Sequence, residues 1–165
     1  MIALLRVDNR LIHGQVVEAW VPYLHATRIL VADDEAAANP LARAAMGLAI
    51  PSPIQVEIAP MAAANFDVAQ RAPDRALVLV RDIAQALKAR ERGLVFATLN
   101  VGNVHFASGR VQVSPSVFLP LAEVESLRAL AKAGVAIDMR AIPKDKLLTL
   151  ADIEARFAAG GVAHG

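Results

Sequence analysis

Arg6, Asp8, Arg10 and His13 stand within one short run, Arg6-Val-Asp-Asn-Arg-Leu-Ile-His-Gly-Gln15. A neutral imidazole is a nucleophile, and its ordinary pKa of about 6.5 leaves most of it neutral near pH 7. Arginine brings permanent charge and a fork of N–H donors that matches phosphate oxygens. A carboxylate close by can take the proton of one ring nitrogen and leave the other free to attack. Gly14 removes a Cβ where a phosphate has to come close. The chemistry these types support is capture of a phosphoryl group. His13 is the candidate nucleophile and Arg10 its catalytic partner; Arg6, Asp8, Asn9, Gly14 and Gln15 are the expected phosphate-binding surround. The plainer alternative is a histidine that caps a helix or sits on the surface, with both arginines paired to Asp8.

Such a site needs elements that hold it. The apolar run Ile2–Leu5 leads into the charged segment, and Val16, Val17, Trp20 and Leu24 follow at helical spacing. The order is strand, charged turn, helix, and a helix start offers unpaired N–H groups to an anion. Further strands are expected at Arg28–Ala32, Ile54–Ile58, Ala76–Val80, Leu94–Leu99, more weakly within Val111–Leu119, and at Val135–Arg140. Most are continuously apolar, as strands covered on both faces are. Between them Asn39-Pro40 opens a helix over Leu41–Ala49 and Asp82 caps Ile83–Arg92, which Gly93 ends. Pro120 opens Leu121–Lys132, Gly134 ends it, and a last helix is expected at Leu150–Ala159. Alternating units of this kind imply an α/β fold: a single-domain, open, mainly parallel twisted sheet of about seven strands with helices on both faces. Ligands of such sheets sit beyond the carboxyl ends of the strands, which is where the His13 turn falls.

Composition narrows the function. The chain has 165 residues, 56% of them hydrophobic and 20% charged, enough for one well-buried core and unlike a disordered chain. The net charge is +1 with basic residues dispersed, so nucleic-acid binding has no support. With no cysteine, disulfides and thiolate chemistry are excluded and a reducing, cytoplasmic setting is expected. Arg6 interrupts the first apolar stretch, so neither a secretory signal nor a membrane helix is expected.

The opening run resembles the signature Arg-Ile-Asp-Asp-Arg-Leu-Ile-His-Gly-Gln of IIB proteins in the mannose/fructose/sorbose family of the phosphoenolpyruvate:sugar phosphotransferase system. The likeness continues through Trp20, Val31-Ala-Asp-Asp-Glu35, Leu99-Asn-Val-Gly102, Ser116-Val-Phe-Leu119 and Ile142-Pro-Lys-Asp-Lys146. It implies a IIB domain with an open, mainly parallel sheet; no linker divides the chain, so residues 1–165 read as that one domain, with 159–165 a frayed tail. It implies a protein-N(π)-phosphohistidine–sugar phosphotransferase component. His13 would receive phosphate from a IIA phosphoprotein and pass it to a sugar at a IIC/IID membrane permease, with Arg10 tied to that last transfer. The residues themselves leave the ring nitrogen open. Asn9 departs from the family, which usually has a second aspartate there. The protein would be cytoplasmic, held at the membrane through the permease, with no cofactor or metal; a homo-oligomer is compatible with the sequence.

Other residues are candidates for the rim of the site. Asp33 opens an acidic run that could shape the binding edge, and reading that run as a metal site has weak support. Asn100 and Gly102 end another strand on the same edge, and Lys144 could add positive charge. His25 and His164 have no supporting context, and Trp20 reads as core. Two rival functions use the same surface: a regulatory phospho-acceptor without sugar transport, and a non-catalytic small-ligand-binding domain.

Overall fold

The computed structural model describes residues 1–71 and 73–161. Six strands form one parallel sheet: β1 (Ile2–Asp8), β2 (Arg28–Ala32), β3 (Gln55–Ala59), β4 (Ala76–Val80), β5 (Thr98–Asn103) and, at one edge, the short strand Ala136–Asp138. Between β5 and that edge strand lies an antiparallel hairpin of β6 (Val111–Ser114) and β7 (Val117–Leu119), so the edge strand is β8. The sheet order is β3-β2-β4-β1-β5-β8. From β1 the chain crosses to one side of the sheet, and from β5 to the other. Their carboxyl ends therefore flank the crevice where ligands of open sheets bind.

Apolar layers on the two faces hold the sheet. Leu5, Val7, Val78, Val80, Leu99 and Val101 face Ile83 of α5 (Ile83–Glu91), Val124 and Leu127 of α6 (Leu121–Lys132), and Ile153 of α7 (Leu150–Ala158) once the short helices are counted in chain order. Those are α1, a π-helical stretch Val16–Trp20 that runs into the α-turn Val21–Leu24, α2 (Asp34–Ala38), α3 (Pro40–Ala49) and α4 (Phe66–Gln70). On the opposite face Leu4, Ile29, Val31, Leu77 and Leu79 pack against Val16, Trp20 and Leu24 of α1 and Met46 of α3. Each such side chain contributes about 1.5–3 kcal/mol when fully buried. Strand alternation puts Arg6 and Asp8 on the same side as Leu4, under α1.

Several local signals act as expected. Asn39 and Asp82 accept from Ala42 and Gln85 N–H, and Gly93 and Gly134 take positive φ at helix ends. Two expectations need correction, and the first helix has one unexpected feature. The strand expected at Leu94–Leu99 lies at Thr98–Asn103, because the sheet carries Asn100, Gly102 and Asn103 inward instead of stopping at them. The segment Val111–Leu119 is the separate hairpin, which leaves six strands in the main sheet. The first helix opens at Gly14 as expected, with Val17 N–H on His13 C=O at 3.1 Å, then passes into π geometry over Val16–Trp20, where Val21 N–H reaches Val16 C=O and Pro22 has no N–H to continue the α pattern. Residues 159–161 close α7, with Gly161 N–H bonded to Arg156 C=O. The rest of the expected frayed tail, including His164, lies outside the described residues.

Candidate functional site

Asp8 is the hub of the site. It ends β1 with its side chain fully buried, and its Oδ2 accepts from Arg6 Nη2 at 2.8 Å and lies 2.7 Å from His13 Nε2. Its Oδ1 accepts the Arg10 backbone N–H at 2.9 Å. Burial alone would raise the Asp8 carboxyl, but the hydrogen bond to His13 and the charge of Arg6 pull it below its ordinary value. The carboxylate is therefore ionised at neutral pH. An ionised acceptor facing Nε2 favours the ring form with a proton there, which leaves the lone pair on Nδ1.

Between Asp8 and His13 the chain turns sharply. Leu11 N–H bonds Asp8 C=O at 3.0 Å, and Leu11 adopts φ 58°, a left-handed conformation unusual for leucine. Burial of Leu11 and Ile12 beneath α1 supplies the energy that holds it. The turn thus fixes His13, whose side chain is 13% exposed, at the mouth of an open depression of about 520 Å³. Arg10, Gly14, Gln15, Glu18, Ala19 and Ile142 complete its lining. A Cβ at Gly14 would meet nothing within 4 Å, so the approach is open there.

The two arginines of the motif have different surroundings. Arg10 is exposed on the depression, its Nη2 3.2 Å from Gln15 Oε1. The Asn103 carboxamide, with its oxygen toward Arg10, accepts from Arg10 Nε at 2.7 Å and Nη2 at 3.2 Å. Arg6, expected among the phosphate ligands, is wholly buried beneath the site and does not line the depression. Its Nη1 donates to Asn100 Oδ1 at 2.6 Å and to Arg140 C=O at 3.3 Å, and its guanidinium lies 5.3 Å from the Trp20 ring centroid. Burial lowers the Arg6 pKa while Asp8 opposes the shift. Arg6 is the counter-charge that keeps Asp8 ionised out of water.

The remaining candidates are placed as follows. Asn100 and Gly102 support Arg6 from β5 rather than forming a rim, and a Cβ at Gly102 would overlap the Arg6 guanidinium. Asp33 is buried; it caps α2 through Ala36 N–H and receives both Nε and Nη2 of Arg81, at 2.9 and 2.7 Å. Burial works to raise the Asp33 carboxyl, and the bonds from Arg81 and Ala36 bring it below its ordinary value. With Asp34 accepting from Met61 N–H, two carboxylates of the acidic run are committed to the fold. Lys144 is exposed on a turn closed by Asp145 and does not line the depression. Asn9 bonds to protein groups on both ends of its amide, at Arg81 C=O and His105 N–H.

Arg81 and Arg140 escaped the reading of the sequence. Arg140 pairs with Asp138 at 2.9 Å, lies 5.6 Å from the Trp20 ring centroid, and offers its backbone C=O to Arg6 Nη1 at 3.3 Å. Trp20, expected as plain core, also donates from Nε1 to Ala141 C=O at 2.8 Å, which pins the loop after β8 against the site. A signal existed for Arg81, since it follows an apolar strand directly, as Asp33 does.

An imidazole oriented by a buried carboxylate, with an exposed guanidinium lining the same depression on the carboxyl edge of an open parallel sheet, defines a phosphoryl carrier. A family model described as "PTS system sorbose subfamily IIB component" matches residues 2–159. The chain belongs to that family of phosphotransferase-system IIB components, which makes it a phosphotransferase and a phosphocarrier in sugar uptake. It is 32% identical over 151 residues to the N-acetylgalactosamine-specific phosphotransferase enzyme IIB component 2 of Escherichia coli (strain K12), covering 90% of this chain and 96% of that protein. Its fold is that of the IIBSor domain of the sorbose permease from Klebsiella pneumoniae, with a TM-score of 0.83, 28% identity, and coverage of 94% and 97%. It is also 28% identical over 155 residues to the mannose-specific EIIAB component of Escherichia coli (strain K12), matching 93% of this chain and 48% of that longer protein.

Proposed function

We propose that His13 is the phosphoacceptor, that Nδ1 is the reacting atom, and that the phosphoryl group arrives from a phosphohistidine on a IIA partner. The observation that carries the reading is the 2.7 Å contact between Asp8 Oδ2 and His13 Nε2. With the proton kept on Nε2, the Nδ1 lone pair attacks the donor phosphorus. The new Nδ1–P bond forms as the donor N–P bond breaks; the donor ring, protonated on its other nitrogen, takes the bonding pair and leaves as a neutral imidazole, and His13 becomes a phosphoimidazolium whose Nε2 proton faces the Asp8 carboxylate. Asp8 holds the ring through both states, and Arg10, beside the depression, offsets the phosphoryl charge. His13 then hands the group to a sugar presented by a IIC/IID permease. The mannose-specific relative named EIIAB, about twice as long as this chain, supports a IIA partner. No helix among the described residues is long and apolar enough to cross a membrane, which fits a cytoplasmic carrier that reaches the membrane through its permease.

The test is a relay assay with phosphoenolpyruvate, enzyme I, HPr and IIA. Wild type takes up an acid-labile, base-stable label and His13→Ala takes up none. Label on His13→Ala refutes the assignment. Arg10→Ala accepts phosphate and delivers it slowly to sugar; delivery at the wild-type rate removes Arg10 from the transfer step.

A further inference from the structure

We infer that Asn9 is a positioning residue whose carboxamide latches the phosphate loop to the loops after β4 and β5 and thereby sets Arg10; this rests on the reading of His13 and Arg10 given above. Both ends of the amide are used. Nδ2 donates to Arg81 C=O at 2.8 Å, and Oδ1 accepts from His105 N–H at 2.6 Å. A carbonyl only accepts and a backbone N–H only donates, so these neighbours fix which way the amide points. The Asn9 main chain adds a bond from its N–H to Asn103 C=O at 2.9 Å.

The latch extends in two directions. On one side Arg81 grips Asp33 with two nitrogens and brings Nη1 to 3.5 Å from Asn9 C=O, so the loop after β2 is tied in as well. On the other side Asn103, bonded to the Asn9 backbone, holds the Arg10 guanidinium through its side chain. Asn9 thus reaches Arg10 through Asn103 and the 103–105 segment. It does not reach His13 in this way: the imidazole is oriented by Asp8, whose partners are Arg6, His13 and the Arg10 N–H. Only an amide fits. An aspartate keeps the bond from His105 but sets an acceptor against the Arg81 carbonyl, and an alanine loses both bonds.

The two half-reactions and one amide proton test the latch. Acceptance is measured from phospho-IIA, delivery in membranes bearing the permease, and hydrogen exchange at the His105 N–H. In Asn9→Ala, delivery falls about tenfold more than acceptance, the scale of one or two lost hydrogen bonds. The loss is in kcat and not in KM for sugar, and His105 N–H loses protection. Asn9→Asp keeps that protection and delivers at an intermediate rate. A folded Asn9→Ala that delivers at the wild-type rate overturns the inference, as does an equal fall in both half-reactions, which is what mere loop support would give. Wild type that takes no phosphate refutes the phosphoacceptor reading instead; the His105 exchange needs no phosphate and still decides whether the latch exists.

Discussion

Replacing Asp8 with asparagine keeps the shape of the side chain and removes the charge on which two neighbours depend. The Arg6 guanidinium is fully buried, and among the described residues its ion-pair partner is Asp8 at 2.8 Å, so the variant leaves a buried cation without that counter-charge. Removing one partner of a buried pair costs about 3–5 kcal/mol. For a chain of 165 residues, at about 2–4 °C per kcal/mol, the melting temperature should fall by about 6–20 °C. The pH dependence follows from the direction of the Asp8 shift. Its folded pKa lies below the ordinary value of 3.8, so its contribution is complete above that value and is lost as pH falls through the lower, folded pKa. The gap between wild type and Asp8→Asn, measured by urea unfolding, should therefore be full at neutral pH and shrink in acid below 3.8. Phosphate uptake gives a second readout. An amide no longer forces the proton onto Nε2, so the attacking tautomer is diluted and uptake slows even at a temperature where the variant is folded. An Asp8→Asn protein with the wild-type urea midpoint and the wild-type uptake rate would refute both the buried pair and the tautomer argument.

Two further substitutions probe the supports of the site. Gly102→Ala places a Cβ inside the volume of the Arg6 guanidinium, and overpacking of this kind costs about 1–3 kcal/mol; an unchanged unfolding midpoint would show that Arg6 has room to move. Asp33→Ala removes the cap on Ala36 N–H and the partner of Arg81, with an expected loss of about 1–2 kcal/mol from the cap, read by urea unfolding at neutral pH. The Asp33 carboxyl also titrates below its ordinary value, so this loss too should fade in acid, and a loss that persisted there would assign it to packing instead.

The sequence by itself determined the layered architecture and the location of the chemistry. Apolar runs such as Ala76–Val80, the caps at Asn39 and Asp82 and the glycines at 93 and 134 act over a few residues, so they can be read without knowing what lies across the sheet. The run from Arg6 to Gln15 likewise declared an imidazole beside arginines and a carboxylate, and the pairing of Asp8 with His13 was legible because both lie in one turn. Only the tertiary structure separated the arginines. Arg6 and Arg10 look alike along the chain, yet Arg6 is consumed by Asn100, 94 residues away, and by the Arg140 carbonyl, 134 residues away, while Arg10 faces the depression. The same long-range demand explains why β5 runs beyond its apolar stretch: its inward Asn100 and Gly102 break an apolar pattern because they serve a buried guanidinium. Arg81 and the Asn9 latch were hidden for that reason too. A hydrogen bond between loops from different strands has no periodicity to read, and which polar groups meet is decided by the order in which the strands assemble.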